Sequence, residues 1–177
     1  MKSILITGGA GYAGFTITQM VAEKYPQAKI IVYDRNQRGC IELASLLKKK
    51  ASNIDFVLPE KADIRDIVHF EKVLKDYRPD VVIHLAAKVT DFAKNKVGKD
   101  EECISTNYVA TSNIARLAKE NGVKTFIYQS TIGIYTPGDN LKEDAPTNPV
   151  SAYMKSKYMG EESVLQLNDD SFNVVVL

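Results

Sequence analysis

Tyr153 and Lys157 are four residues apart in the stretch YMKSK, and a phenol beside an ammonium is a pair that can move a proton. Positions i and i+4 of a helix share a face, so the two side chains meet if the segment is helical. A free tyrosine has a pKa of about 10, and bringing it near 7 takes ~4 kcal/mol of selective stabilisation of the anion. A close lysine supplies part of that, and the phenolate then serves as a general base. The spacing by itself is worth little, because the numbers of tyrosines and lysines in the chain make about one Y-x-x-x-K expected by chance. Tyr25 and Lys29 match as well, but Pro26 stands between them and no continuous helix holds both on one face. That pair reads as a surface accident. Tyr153 differs because it follows a loop and a strand ending Gln129-Ser130-Thr131. A hydroxyl at the end of that strand can polarise the same substrate oxygen that the tyrosine deprotonates, and both Ser130 and Thr131 offer one. Equally, both are ordinary β-forming residues ahead of a turn.

A second constellation lies at the other end of the chain, where TGGAGYAG occupies residues 7–14. Gly9, Gly11 and Gly14 make G-x-G-x-x-G, whereas Gly8, Gly11 and Gly14 make G-x-x-G-x-x-G, and the glycines alone do not choose. The run follows an apolar strand and opens a helical pattern, the context in which such glycines let backbone approach a pyrophosphate at a helix amino terminus. Asp34 ends the next strand, twenty residues beyond Gly14. A carboxylate there accepts hydrogen bonds from both hydroxyls of an adenosine ribose and repels a 2′-phosphate, which favours NAD over NADP. Arg35 beside it pulls the other way, since a guanidinium suits a phosphate. An oxidised nicotinamide would join Lys157 in stabilising the Tyr153 anion.

These residues need a scaffold that brings them together. Short apolar runs at residues 3–6, 30–33, 54–57, 81–85, 125–128 and 174–177 read as strands. Ile17, Met20, Val21 and Tyr25 recur near helical spacing until Pro26 stops them, and further helices are expected around 40–50, 66–76, 101–120 and 153–167. Asn121-Gly122 closes the fourth of these. Strands alternating with helices predict an α/β fold, a doubly wound parallel sheet of about six strands covered on both faces, in one domain spanning residues 1–177. The loop Thr136–Ser151 is a candidate wall of the site, being the longest connector and lying at a strand's carboxyl end. A formal net charge of +1 without a long basic stretch makes nucleic acid an unexpected partner; the triplet Lys48, Lys49 and Lys50 reads as a solvated helix end. Cys40 and Cys103 lack the spacing of a metal site and fit a reduced, cytoplasmic setting. The apolar start is too short for a signal peptide and no stretch is long enough for a membrane span, so a soluble protein is expected.

Taken in order, TGGAGYAG, Asp34, Ala62-Asp63-Ile64-Arg65-Asp66, His84-Leu85-Ala86-Ala87, Asn107, STIGIY and Tyr153-Met154-Lys155-Ser156-Lys157 resemble the extended short-chain dehydrogenases, the NAD-dependent epimerase/dehydratase family. The resemblance covers nearly the whole chain. It implies the Gly8, Gly11, Gly14 register, with Tyr12 and Ala13 in the same turn, around the phosphates of NAD. It also implies Asp63 and Ile64 near the adenine, Leu85, Ala86 and Ala87 against the cofactor, and a triad in which Thr131, four residues before Tyr135, joins Tyr153 and Lys157. The substrate implied is a nucleotide sugar, epimerised at C4 through a transient 4-keto intermediate. Dehydratases and decarboxylases of the family place an acidic residue just after the triad threonine; here Ile132 and Gly133 follow it, which argues for epimerase or simple dehydrogenase/reductase chemistry. A noncatalytic NAD-binding sensor or scaffold is the alternative from another class. Family members continue past the sixth strand into a substrate-binding domain, so the chain ending at Leu177 is expected to be the amino-terminal half, poorly active alone. The helices near 101–120 and 153–167 correspond to those that pair relatives into dimers, which implies a homodimer.

Overall fold

A computed structural model of the chain describes residues 3–47, 53–57, 59–89 and 99–177, so Lys48, Lys49 and Lys50 lie outside the described residues. Six parallel strands form one sheet: β1 (Ser3–Thr7), β2 (Lys29–Tyr33), β3 (Ile54–Phe56), β4 (Val81–His84), β5 (Thr125–Tyr128) and β6 (Asn173–Val176), in the order β3-β2-β1-β4-β5-β6. Register is continuous across the centre, where Leu5 pairs with Ile31 on one side and Val82 on the other. Because successive side chains of a strand point to opposite faces, neighbours such as Ile4 and Leu5 enter different cores. Leu5, Ile31, Val82 and Phe126 pack with α3 (Ile67–Tyr77), α5 (Thr111–Glu120) and α6 (Ala152–Leu165). Ile4, Ile6, Ile30 and Ile83 pack on the other face with α1 (Tyr12–Lys24), and Val32 packs there with α2 (Gln37–Leu47). The expected doubly wound sheet is therefore what the chain adopts.

The local signals act where the sequence puts them. Asp66 caps α3 by accepting from the His69 N–H at 3.0 Å, and Ser151 caps α6 by accepting from Met154 N–H at 3.1 Å. Gly122 takes φ +83 after α5, the left-handed turn that lets its N–H return to the Lys119 carbonyl. Tyr25 follows the end of α1 while Lys29 begins β2 and pairs with Asp55 at 2.7 Å, so that Y-x-x-x-K match shares no helix.

Three expectations need correction. The buried stripe of α1 is Gly14, Thr18 and Ala22, not the apolar set Ile17, Met20, Val21 and Tyr25; Met20 is 63% exposed. Small residues win there because α1 packs directly on the glycine turn, where Thr18 donates to the Gly9 carbonyl at 3.0 Å. Secondly, the helix expected over 101–120 starts at α4 (Lys99–Cys103), runs as a π-helix over Ile104–Ala110, and becomes regular again in α5. Thirdly, the loop Thr136–Ser151 folds back on the segment after β5, and none of its residues lines the cleft at the carboxyl ends of the strands: Thr136 N–H donates to the Pro146 carbonyl and Asn148 N–H to the Ile134 carbonyl, at 2.8 and 2.7 Å.

Candidate active site

A cleft of about 390 Å³ opens at the carboxyl ends of the strands, across the point where the strand order reverses between β1 and β4. In an open α/β sheet this is where two crossovers leave in opposite directions and a crevice is unavoidable. Gly8, Gly11, Tyr12, Ala13 and Gly14 form its floor. Gly8 has φ +70, and a Cβ on it would stand 2.6 Å from the Ala86 nitrogen; a Cβ on Gly14 would stand 1.9 Å from the Gly8 carbonyl oxygen. No side chain fits at either place. A Cβ on Gly9 would meet its nearest atom, the Thr18 hydroxyl oxygen, at 3.0 Å, so Gly8 rather than Gly9 is the stringent first glycine. The turn leads into the amino terminus of α1, whose first N–H groups have no intrahelical acceptor and carry the positive end of the helix dipole. A backbone cradle without side chains beside such a terminus fits a pyrophosphate.

At one end the cleft is lined by Asp34, Arg35, Asp63 and Ile64, together with Tyr33 and Ala62. Asp34 is buried, and its two carboxylate oxygens accept from the N–H groups of Ala10 and Asn36, each at 2.8 Å. The same side chain thus ties the glycine turn to the end of β2. Arg65 holds Asp63 as a carboxylate with a pKa of about 2, through a hydrogen bond at 2.6 Å from its guanidinium. Arg35 contacts the same carboxylate at 3.4 Å.

Leu85, Ala86 and Ala87 lead along the cleft to Tyr153 and Lys157 at its other end. Lys157 is only 3% exposed; its Nζ donates to the Gln129 carbonyl at 2.5 Å and stands 4.1 Å from the centre of the Tyr128 ring. Burial pushes its pKa down to about 7. Tyr153 is half-buried, and burial raises its pKa, while a hydrogen bond from the Thr131 hydroxyl acts in the opposite direction. The chain's own groups therefore do not give Tyr153 a lowered pKa: the Lys157 ammonium is engaged with Gln129 and Tyr128, and desolvation dominates the phenol. Burial thus pushes both groups toward their neutral forms.

All fourteen residues expected to surround a cofactor line this cleft. Thr131 does not line it; its hydroxyl accepts from Gly133 N–H at 3.3 Å and acts to lower the pKa of Tyr153. Ser130 does line it, and its hydroxyl is committed to Glu161 at 2.5 Å. Sequence reasoning missed Gln129, Thr106 and Val89 in the lining, and Glu161 behind it; Glu161 was legible as the next position after Tyr153 and Lys157 on one helix face. Asn107, noticed only as part of a pattern, is buried in the π-helical segment. Its amide accepts from Lys88 N–H at 2.7 Å and donates to the Lys88 carbonyl and the Ser156 hydroxyl at 2.8 and 3.0 Å, so it joins the β4 loop to α6. Widening a helix in this way commonly marks a functional region. Among the described residues no group of three or more His, Cys, Asp or Glu side chains could hold a metal ion, and no helix is long and apolar enough to cross a membrane.

Comparison with known proteins agrees with this geometry. The chain is 32% identical over 173 residues to a UDP-N-acetylglucosamine 4,6-dehydratase (inverting) of Campylobacter jejuni, covering 97% of this chain and 45% of that protein. It is 28% identical over 169 residues to a UDP-glucose 4-epimerase of Rhizobium meliloti, covering 92% of this chain and 46% of the relative. The Bordetella bronchiseptica enzyme WbmG, solved in complex with NAD and UDP, superposes with a TM-score of 0.79 at 26% identity, covering 98% of this chain and 51% of WbmG. The chain thus spans about half the length of the curated relatives it matches. A family model matches residues 4–177, and the chain belongs to the NAD dependent epimerase/dehydratase family.

Proposed function

We propose that the chain is the NAD-binding and catalytic half of an enzyme that epimerises a nucleotide sugar at C4. The observation that carries this reading is a single cleft with Asp34 at one end and Tyr153 with Lys157 at the other. Gly8, Gly11, Tyr12, Ala13 and Gly14 would hold the pyrophosphate by backbone, and Asp34 would accept from the adenosine ribose, with Arg35 beside it. Asp63 and Ile64 would flank the adenine, and Leu85 to Ala87 would support the nicotinamide half. When bound in its oxidised form, the nicotinamide supplies a hydride acceptor and a positive charge near Tyr153.

Tyr153 then accepts the proton of the sugar C4 hydroxyl, while Thr131 stabilises the phenolate by donating to it. Lys157 holds the nicotinamide ribose and offers an ammonium to the developing anion. Where water elimination needs an acid, this chain carries Ile132, 73% exposed, and Gly133. That supports epimerisation over dehydration although a dehydratase is among the relatives. The near alternative is a reductase or dehydrogenase acting on another hydroxyl or carbonyl. Assaying the whole protein with UDP-sugars separates them: a C4-inverted product without net change in nicotinamide absorbance is expected. Accumulation of reduced cofactor would point to a dehydrogenase, and a dehydrated keto sugar would overturn the epimerase reading. A noncatalytic NAD sensor would bind the cofactor and give none of these products. The exposed sides of α5 and α6 are proposed to pair two copies, and a monomer by light scattering at high concentration would contradict that.

A further inference from the structure

Glu161 follows Lys157 by four residues and Tyr153 by eight, so the three side chains share one face of α6. Its Oε2 accepts a hydrogen bond from the Ser130 hydroxyl at 2.5 Å, and Ser130 lines the cleft. One residue earlier, the Gln129 carbonyl accepts from Lys157 at 2.5 Å. Two oppositely charged side chains, one helical turn apart, therefore grip consecutive residues at the end of β5. We infer that Glu161 is a positioning residue: through Ser130 it fixes the end of β5 against α6, and through its charge it keeps the buried Lys157 ammonium protonated beside the cleft. The functional meaning rests on the reading of Lys157 and Tyr153 given above.

The surroundings of Lys157 support the electrostatic half of this role. From its own helix it feels the charge of Glu161, from β5 it meets the Tyr128 ring and the Gln129 carbonyl, and across to β4 its own charge acts on the ring of His84. Burial keeps His84 neutral, with a pKa of about 3, and raises those of Tyr128 and Tyr153. Glu161 is the anion that opposes the desolvation of Lys157, whose pKa stands at about 7. The groups around Glu161 itself are the Ser130 hydroxyl, Lys157, and the phenols of Tyr128 and Tyr135, both of which it pushes further toward neutrality. An amine so close to neutrality loses its charge at physiological pH once the carboxylate is removed.

The test is the titration of Lys157 followed by NMR in protein labelled at the lysine Cε, with its resonance assigned from Lys157→Met. Glu161→Gln, which keeps an acceptor for Ser130 but no charge, is expected to lower the midpoint by about one unit. Ser130→Ala, which removes the hydrogen bond but keeps the charge, is expected to leave the midpoint close to wild type and to weaken NAD binding measured by calorimetry. Glu162→Gln, on the exposed side, should change neither. An unchanged Lys157 midpoint in folded Glu161→Gln overturns the electrostatic role, and NAD binding unaffected by Ser130→Ala overturns the positioning role. Should Glu161→Gln fail to fold, Glu161→Asp, shorter by one methylene, must give a midpoint shifted from wild type, and an unchanged value overturns the proposal. The titration needs neither NAD nor sugar, so its failure leaves the proposed function to its own test.

Discussion

Tyr153 carries the sharpest prediction at the level of single residues. Removing its hydroxyl in Tyr153→Phe takes away the proton acceptor without altering the glycine turn or Asp34. Turnover by the whole protein should fall about 10²–10⁴-fold, the usual worth of a general base, while NAD affinity by calorimetry stays within a few-fold. If activity persists, the tyrosine is not the base. His84 makes a different prediction. It is fully buried, with Nδ1 2.6 Å from the Thr7 hydroxyl and Nε2 2.9 Å from the Thr111 hydroxyl. In either neutral tautomer the ring donates to one threonine hydroxyl and accepts from the other, so both its nitrogens are satisfied without a charge. The folded protein holds this histidine neutral, with a pKa lowered to about 3 by burial, whereas an unfolded histidine titrates near 6.5. Between those values the unfolded chain binds the extra proton, so stability falls as pH drops from 6.5 toward 3, by at most about 1.4 kcal/mol per pH unit for this one group. Urea unfolding at a series of pH values should show that slope diminished in His84→Gln; an identical slope would assign the acid sensitivity elsewhere.

Gly14 and Gly160 stand where elements meet so closely that the backbone leaves no room for a methyl group. Gly14 brings α1 onto the glycine turn, and Gly14→Ala places a Cβ 1.9 Å from the Gly8 carbonyl. The helix must retreat, which should cost about 1–3 kcal/mol in denaturant unfolding and abolish NAD binding measured by calorimetry. Gly160 does the corresponding work on the other face, where an added Cβ would stand 2.5 Å from the Asn107 carbonyl and 2.7 Å from the Tyr128 hydroxyl. Gly160→Ala is expected to displace α6, and with it Tyr153 and Lys157. Its effect should be a larger fractional loss of turnover than of NAD affinity, because the adenosine end of the cleft is built by other elements. Equal losses would mean that the helix shift spreads across the sheet.

For the molecule as a whole, the cleft unites residues from the β1–α1 turn, the ends of β2, β4 and β5, and α6, so a ligand that fills it stabilises all of these together. Free NAD at a hundred times its dissociation constant should add about 2.7 kcal/mol to folding and raise Tm accordingly. Differential scanning fluorimetry across a NAD titration checks this, and a folded protein whose Tm ignores NAD would contradict the cofactor assignment.

Much of this was present in the amino-acid order. Short continuous apolar runs marked the six strands, glycine spacing with Asp34 marked the cofactor-binding segment, and the helical register of Tyr153 and Lys157 brought them to one face, because each of these depends on near neighbours in the chain. Three things depended on groups far apart in sequence. The stringency of Gly8 over Gly9 comes from Ala86, the small buried face of α1 from the turn it packs on, and the protonation of Lys157 from how deeply β5 and α6 bury it. Local pattern determined which residues were available for chemistry. Desolvation and close packing, which only the folded chain creates, committed the Ser130 hydroxyl to Glu161 and drew the Lys157 ammonium to Gln129.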